Sequence, residues 1–213
     1  MSIAHHLDDA TLMSLAAGTL TPALAVVAAS HVALCPNCRQ GLAVLEAAGA
    51  ALLDDLSPVP LSGEAPHMPE VEPGWIRPPH TEPPLGELPP PLARLVGRPL
   101  DAVRWRPLSV GIWHHRIALE GADSGELHLI RAWPGYGLPA HGHTGAELTL
   151  VLRGIYRDEV GRFAVGDAAD LDESVEHRPV ADPTAGCICV LACERPARFH
   201  GLLPRLLQPL FGL

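Results

Sequence analysis

Twelve of the 34 positions from 58 to 91 are proline, and no other feature limits the fold as strongly. Each proline fixes its φ angle and removes an amide donor, so neither a helix interior nor a central strand can run through such a stretch. Pro66, Pro69 and Pro73 alone prohibit a regular helix there. The 213 residues therefore read as two units, 1–57 and 92–213, joined by an extended, semi-rigid linker over 58–91. Within that linker Met68, Trp75 and Ile76 offer a docking spot for a partner or for either unit. No internal repeat stands out.

The first unit reads as three short helices. Asp8 or Asp9 caps a helix through Thr11, Met13 and Leu15 that stops at Gly18. Thr21-Pro22 starts a second, because proline is preorganised for the first helical position. Leu24, Val27, His31 and Cys35 then recur along one face. Cys35-Pro36 breaks that helix and restarts the chain into a third, through Leu42, Leu45 and Leu52.

Beyond Leu92 the texture changes to short apolar runs separated by Gly, Pro and Asp. WHHRIAL, ELHLIRAW, ELTLVLRGIYRDEV, RFAVGD and CICVLAC are spaced as in an antiparallel sandwich or barrel. The fold class expected is thus multidomain, α and then all-β.

Charge narrows the range of partners. The net formal charge is −9, every basic residue is arginine, and residues 1–91 hold ten acids against Arg39 and Arg77. An acidic front half argues against DNA or an anionic membrane as the direct partner, since neutralising phosphate takes a basic surface. It suits a basic protein, whose approach it would steer. MSIAHHLDDA has neither the basic nor the apolar region of a signal peptide, and no apolar run is long enough to span a bilayer. Five cysteines without a secretory signal make a disulfide framework unexpected and point to the cytoplasm, with thiols free for metal.

The sequence HVALCPNC, residues 31–38, concentrates those ligands. His31 and Cys35 stand one helical turn apart on one face, and Cys38 follows beyond the bend at Pro36, near a helix N-terminus that favours a thiolate. Zinc binds tetrahedrally, so three ligands call for a fourth, and His5 and His6 are the available residues in the helical half. A helical unit of this size with few aromatics buries a marginal core. Structural zinc adds on the order of 10 kcal/mol of apparent folding energy, comparable to the whole stability of a small domain.

A second set lies in GYGLPAHGHTGAELTLVLRG, residues 135–154. In a strand, side chains two apart share a face, so His141, His143 and Glu147 have the same parity and can all point inward. His177, after Gly166-Asp167, is the natural fourth ligand from a later strand. Three imidazoles and a carboxylate suit zinc or another divalent first-row metal. His114, His115, His128 and His200 fall outside both patterns and read as surface or satisfied core residues. Cys187, Cys189 and Cys193 sit in a buried strand. Cys187 and Cys189 share a face, which makes a redox role conceivable, but core packing is the favoured reading because no positive charge flanks them.

Two resemblances attach to these residues. Residues 135–154 and 166–181 resemble the paired motifs of cupins, with Asp172 and Ser174 where many members carry Pro and Gly, and Ala181 where they carry Asn. HVALCPNC after HHLDDATLMSLAAGTL resembles the zinc-binding domain of bacterial anti-sigma factors. The chain as a whole, through its LPRLLQPLFGL tail, resembles the ChrR family. That likeness implies a small zinc-bound helical bundle followed by a cupin β-barrel (a double-stranded β-helix). It also implies His6, rather than His5, beside His31, Cys35 and Cys38. The implied function is sequestration of an extracytoplasmic-function sigma factor as a 1:1 heterodimer, with release on an oxidative signal, singlet oxygen above all, sensed by the cupin. The alternative is a dioxygenase-like cupin metalloenzyme carrying an accessory zinc domain. The family's anti-sigma domain normally has a fourth helix after the zinc-bound three, which PLSGEAPHMPEVEPGWIRPP cannot supply, so the first three helices are expected to carry most of the sigma contact.

Overall fold

In the computed structural model the described residues are 3–54, 56–59, 63, 87–121, 123–195 and 198–199. Most of the expected linker, with Met68, Trp75 and Ile76, lies outside them, as do His200 and the LPRLLQPLFGL tail. Three helices open the chain: α1 (Asp9–Ala16), α2 (Pro22–Leu34) and α3 (Pro36–Asp54). Asp8 caps α1, its carboxylate accepting from the Thr11 amide at 2.6 Å. Cys35, forced to extended backbone by the proline after it, separates α2 from α3.

α4 (Pro90–Val96) begins within the last two positions of the expected linker and departs from the all-β reading of everything past Leu92. Its signals are local. Pro90 sits at the first helical position, and Gly97 ends the helix in the left-handed conformation at φ 64°. A 3-10 turn over Leu100–Ala102 leads into the strands.

Those strands are β1 (Arg106–Ser109), β2 (Ile112–Arg116), β3 (Glu126–Ala132), β4 (His141–Gly142), β5 (Glu147–Arg157), β6 (Arg162–Ala164), β7 (Ala168–Leu171), β8 (Glu176–His177), β9 (Val180–Ala181), β10 (Cys187–Cys193) and β11 (Arg198–Phe199). The large antiparallel sheet runs β1-β2-β3-β10-β5-β6, with β7 and β9 also paired to β5, and a small sheet runs β11-β4-β8. His141 of β4 and His177 of β8 reach Glu147 of β5, so the small sheet faces the large one. Helices then antiparallel sheet is the order the sequence leads one to expect.

The helices do not stand apart from the sheet. Leu24, Val27 and Ala28 of α2 are buried in one hydrophobic cluster with Leu92 of α4, Leu127 and Leu129 of β3, Leu148 and Leu150 of β5, and Val190 of β10. α2 is apolar nearly all round because it is covered on several sides. Its first turn docks closely, the Ala23 amide donating to Ser124 O at 2.9 Å. Gly125, at φ +74°, makes room there, since a Cβ would meet Cys193 O at 2.9 Å and the Ala23 methyl at 3.1 Å. α3 is the opposite case. Of its 19 residues only Cys38 is fully buried, while Val44, Leu52 and Leu53 are exposed.

Candidate metal centres

The end of α2, the bend and the start of α3 bring three candidate ligands of the first centre together, and the extended segment before α1 delivers the fourth. His6, His31, Cys35 and Cys38 each present a ligand atom within 4.8 Å of the others. Cys35 Sγ lies 3.2 Å from His6 Nδ1. His5 points elsewhere, stacking on Phe163 at 4.3 Å with its Nε2 3.1 Å from Arg162 O. His31, wholly buried, gives its Nδ1–H to Gly166 O at 3.0 Å, which leaves Nε2 buried, unpartnered and free to ligate. Burial holds its pKa down at about 4, keeping the imidazole neutral as ligation requires. Burial pushes the Cys38 thiol up to about 11, and the neighbouring Cys35 adds to that shift. Two thiols and two imidazoles crowded together with an orphaned ring nitrogen are poorly satisfied by one another and suit a tetrahedral divalent ion.

The second centre assembles at the mouth of the sheet pair. His141, His143, Glu147 and His177 are all at most 4% exposed, and their ligand atoms also fall within 4.8 Å. His141 Nε2 is 3.1 Å from His177 Nε2, His143 Nδ1 is 3.3 Å from Glu147 Oε2, and His177 Nε2 is 3.8 Å from Glu147 Oε1. The set does not lie on one strand, as the shared-parity reading supposes. β4 ends at Gly142, and His143 belongs to the turn that leads to Glu147, the first residue of β5. Convergence comes from that turn and from the register that sets His141 opposite His177.

Outer contacts fix these rings. His141 Nδ1 donates to Pro139 O at 2.9 Å, and His177 Nδ1 to Asp158 Oδ2 at 2.8 Å. Ligating histidines usually give their second nitrogen to a carbonyl or carboxylate in this way. Burial disfavours charge on Glu147, yet the hydrogen bond and charge of His143 hold its carboxyl below the usual range. Burial likewise opposes protonation of His143, and Glu147 overcomes it, so the His143 pKa is raised. His143 Nε2 and Glu147 Oε1 remain buried without a hydrogen-bond partner. Such a pair of orphans beside three imidazoles and a carboxylate fits a divalent first-row ion. The departure at Asp172 and Ser174 is absorbed locally, since Asp172 Oδ1 accepts from the Ser174 amide at 2.8 Å and ties down the turn before His177.

A cavity of about 50 Å³ opens onto this centre, walled by Ile112, Ile130, Leu138 and Leu191. Tyr156, Cys187 and Cys189 also line it, and the Tyr156 hydroxyl is buried without a partner. Sequence reasoning placed the two cysteines correctly on one face but missed that the face is this cavity wall. It also missed Pro139, Asp158 and Gly166, the residues that orient the ligating rings. Pro139 is only two residues from His141, but no spacing rule could have found the other two, because Asp158 reaches His177 across 19 residues and Gly166 reaches His31 across 135. Of the remaining histidines, His128 is wholly buried against His114 and Glu126.

Comparison with known proteins places this arrangement. A family profile described as the ChrR cupin-like domain matches residues 95–195. Over 215 aligned residues the chain is 41% identical to anti-sigma-E factor ChrR of Cereibacter sphaeroides, with the whole of both chains covered. The chain belongs to the ChrR family. A solved structure of Rhodobacter sphaeroides SigE in complex with the anti-sigma ChrR matches at a TM-score of 0.76 and 38% identity, covering 90% of this chain and all of that one. As a ChrR-family member the chain is a regulatory protein rather than an enzyme, and its cupin half is the part that the family profile recognises. Among the described residues no helix is long and apolar enough to cross a membrane.

Proposed function

We propose that this protein is an anti-sigma factor whose front unit, residues 1–57, binds an extracytoplasmic-function sigma factor one to one in the cytoplasm. Residues 58–91 serve as the linker, and the cupin unit, residues 92–213, is the sensory half. The observation that carries this reading is the set of exposed apolar side chains on the helical unit. Met13 on α1 and Val44, Leu52 and Leu53 on α3 are each more than half exposed in a chain whose full-length relative is an anti-sigma factor. Large apolar side chains left open to water on two helices of one unit favour a docking surface for protein. The acidic balance of residues 1–91 complements a basic partner.

In this reading zinc is held by His6, His31, Cys35 and Cys38, and cross-braces the segment before α1 to the α2–α3 corner. A closed set of four protein ligands is the hallmark of a structural zinc site. Zinc or another divalent first-row metal is held by His141, His143, Glu147 and His177, beside the cavity through which a small oxidant, singlet oxygen in our proposal, would arrive. The test is coexpression with a candidate extracytoplasmic-function sigma factor, followed by size-exclusion chromatography and promoter-dependent transcription. A one-to-one complex that silences transcription is expected. Cys35→Ser or Cys38→Ser should release sigma constitutively, while His141→Ala or Glu147→Ala should blunt the response to singlet oxygen and leave basal inhibition. Equal basal release from both pairs of variants would contradict this division of labour.

A further inference from the structure

One turn of the cupin unit serves the first metal centre from outside. Gly166-Asp167 lies between β6 and β7, with Gly166 at φ +90° and Asp167 only 2% exposed. One carboxylate oxygen of Asp167 accepts from the Ala4 amide at 2.7 Å and the His5 amide at 3.1 Å, and the other closes its own turn on the Ala164 amide at 2.8 Å. The next residue returns the contact, the Ala168 amide donating to His5 O at 3.3 Å. Asp170, on β7, accepts from the Asp8 amide at 3.0 Å. Gly166 O is the acceptor that orients His31.

His6 therefore sits between residues 5 and 8, whose amides are both fastened to the cupin unit, in a stretch without helical bonds of its own. Two of the four ligands, His6 and His31, take their positions from the loop of the second cupin motif. We infer that Asp167 is a positioning residue for the first metal centre, and that the cupin unit holds the anti-sigma unit in its metal-binding form through the Gly166–Asp167 turn. The chemistry is that of a carboxylate gathering backbone N–H donors, the stronger kind of hydrogen bond. Outer partners of metal ligands commonly account for 10–100-fold in affinity.

The inference rests on metal binding at His6, His31, Cys35 and Cys38. Its test uses the full-length chain loaded with cobalt(II) in place of zinc. Thiolate-to-cobalt charge-transfer absorption reports the first centre alone, because the second has no sulfur in its ligand set. Asp167→Ala is expected to weaken cobalt at the first centre by about 10–100-fold in chelator competition and to leave the second equivalent of metal unchanged. Ala4→Pro deletes one amide donor to Asp167 and touches no bond within the cupin unit, so it should weaken the same centre in the same direction. It also decides the matter if Asp167→Ala fails to fold. Asp182→Asn, in a turn that caps only the Thr184 and Ala185 amides, should change neither centre. Unchanged affinity at the first centre in a folded Ala4→Pro chain, or equal weakening of both centres, would overturn the inference. A wild-type chain that gives no thiolate band would instead overturn the metal reading on which it stands.

Discussion

At the scale of single residues, His128 carries a consequence of its own. It has no exposed surface, with His114 Nδ1 3.4 Å from its Nδ1 and Glu126 Oε2 3.4 Å from its Nε2. Burial, reinforced by His114 and opposed by Glu126, drives its pKa from 6.5 to about 4. Between those values the unfolded chain binds a proton that the folded chain refuses. The stabilisation is thus complete above pH 6.5 and drains away as the pH falls toward 4. His128→Leu should flatten this part of the stability curve by roughly 3 kcal/mol at its lower end, since each pKa unit is worth 1.36 kcal/mol. Urea unfolding of both chains at pH 7.5 and 4.5 measures it, and parallel losses would refute it. Three members of each candidate set were legible at this scale, because metal chemistry demands particular side chains at short spacings, as in His31-x3-Cys35-x2-Cys38, whereas His6 was singled out from His5 only by the family resemblance. His128 was not legible as a wholly buried residue, since its burial depends on which strands pair beside it.

At the scale of elements, α2 and α3 divide the work of the helical unit. α2 is enclosed, whereas α3 leaves the side chains of Val44 and Leu52 open to solvent. If these two side chains belong to the sigma surface, Val44→Asp with Leu52→Asp should weaken sigma binding at least tenfold, an apolar anchor at an interface being worth about 1–2 kcal/mol. Thermal stability should stay within about 0.5 kcal/mol, as for other exposed substitutions. Titration calorimetry with purified sigma factor, alongside melting of the free protein, distinguishes this from unfolding. α1 to α3 could be read from the sequence because Asp8, Pro22 and Pro36 punctuate them, and β2, β3, β5 and β10 because their apolar runs are long enough. Two-residue strands such as β4 and β8 leave no periodic trace, and their pairing is set by the turns around them. α4 was hidden by the prolines before it, which mark its start as readily as they mark a linker.

At the scale of the whole molecule, the shared cluster around Leu24, Leu92 and Leu148 argues against two independent melting units. One cooperative transition is expected by calorimetry. Thorough chelation should lower that single transition as a whole, because a structural metal adds on the order of 10 kcal/mol of apparent folding energy. Two well-separated transitions, with only the first sensitive to chelation, would show that the helices and the sheet fold apart.

The 135-residue gap between His31 and Gly166 also has a meaning in time. A chain leaves the ribosome from its N-terminus at about 5–20 residues per second. His31 is thus synthesised roughly 7–27 s before the carbonyl that steadies it. On this account a chain still being synthesised holds His31 without the carbonyl that orients it.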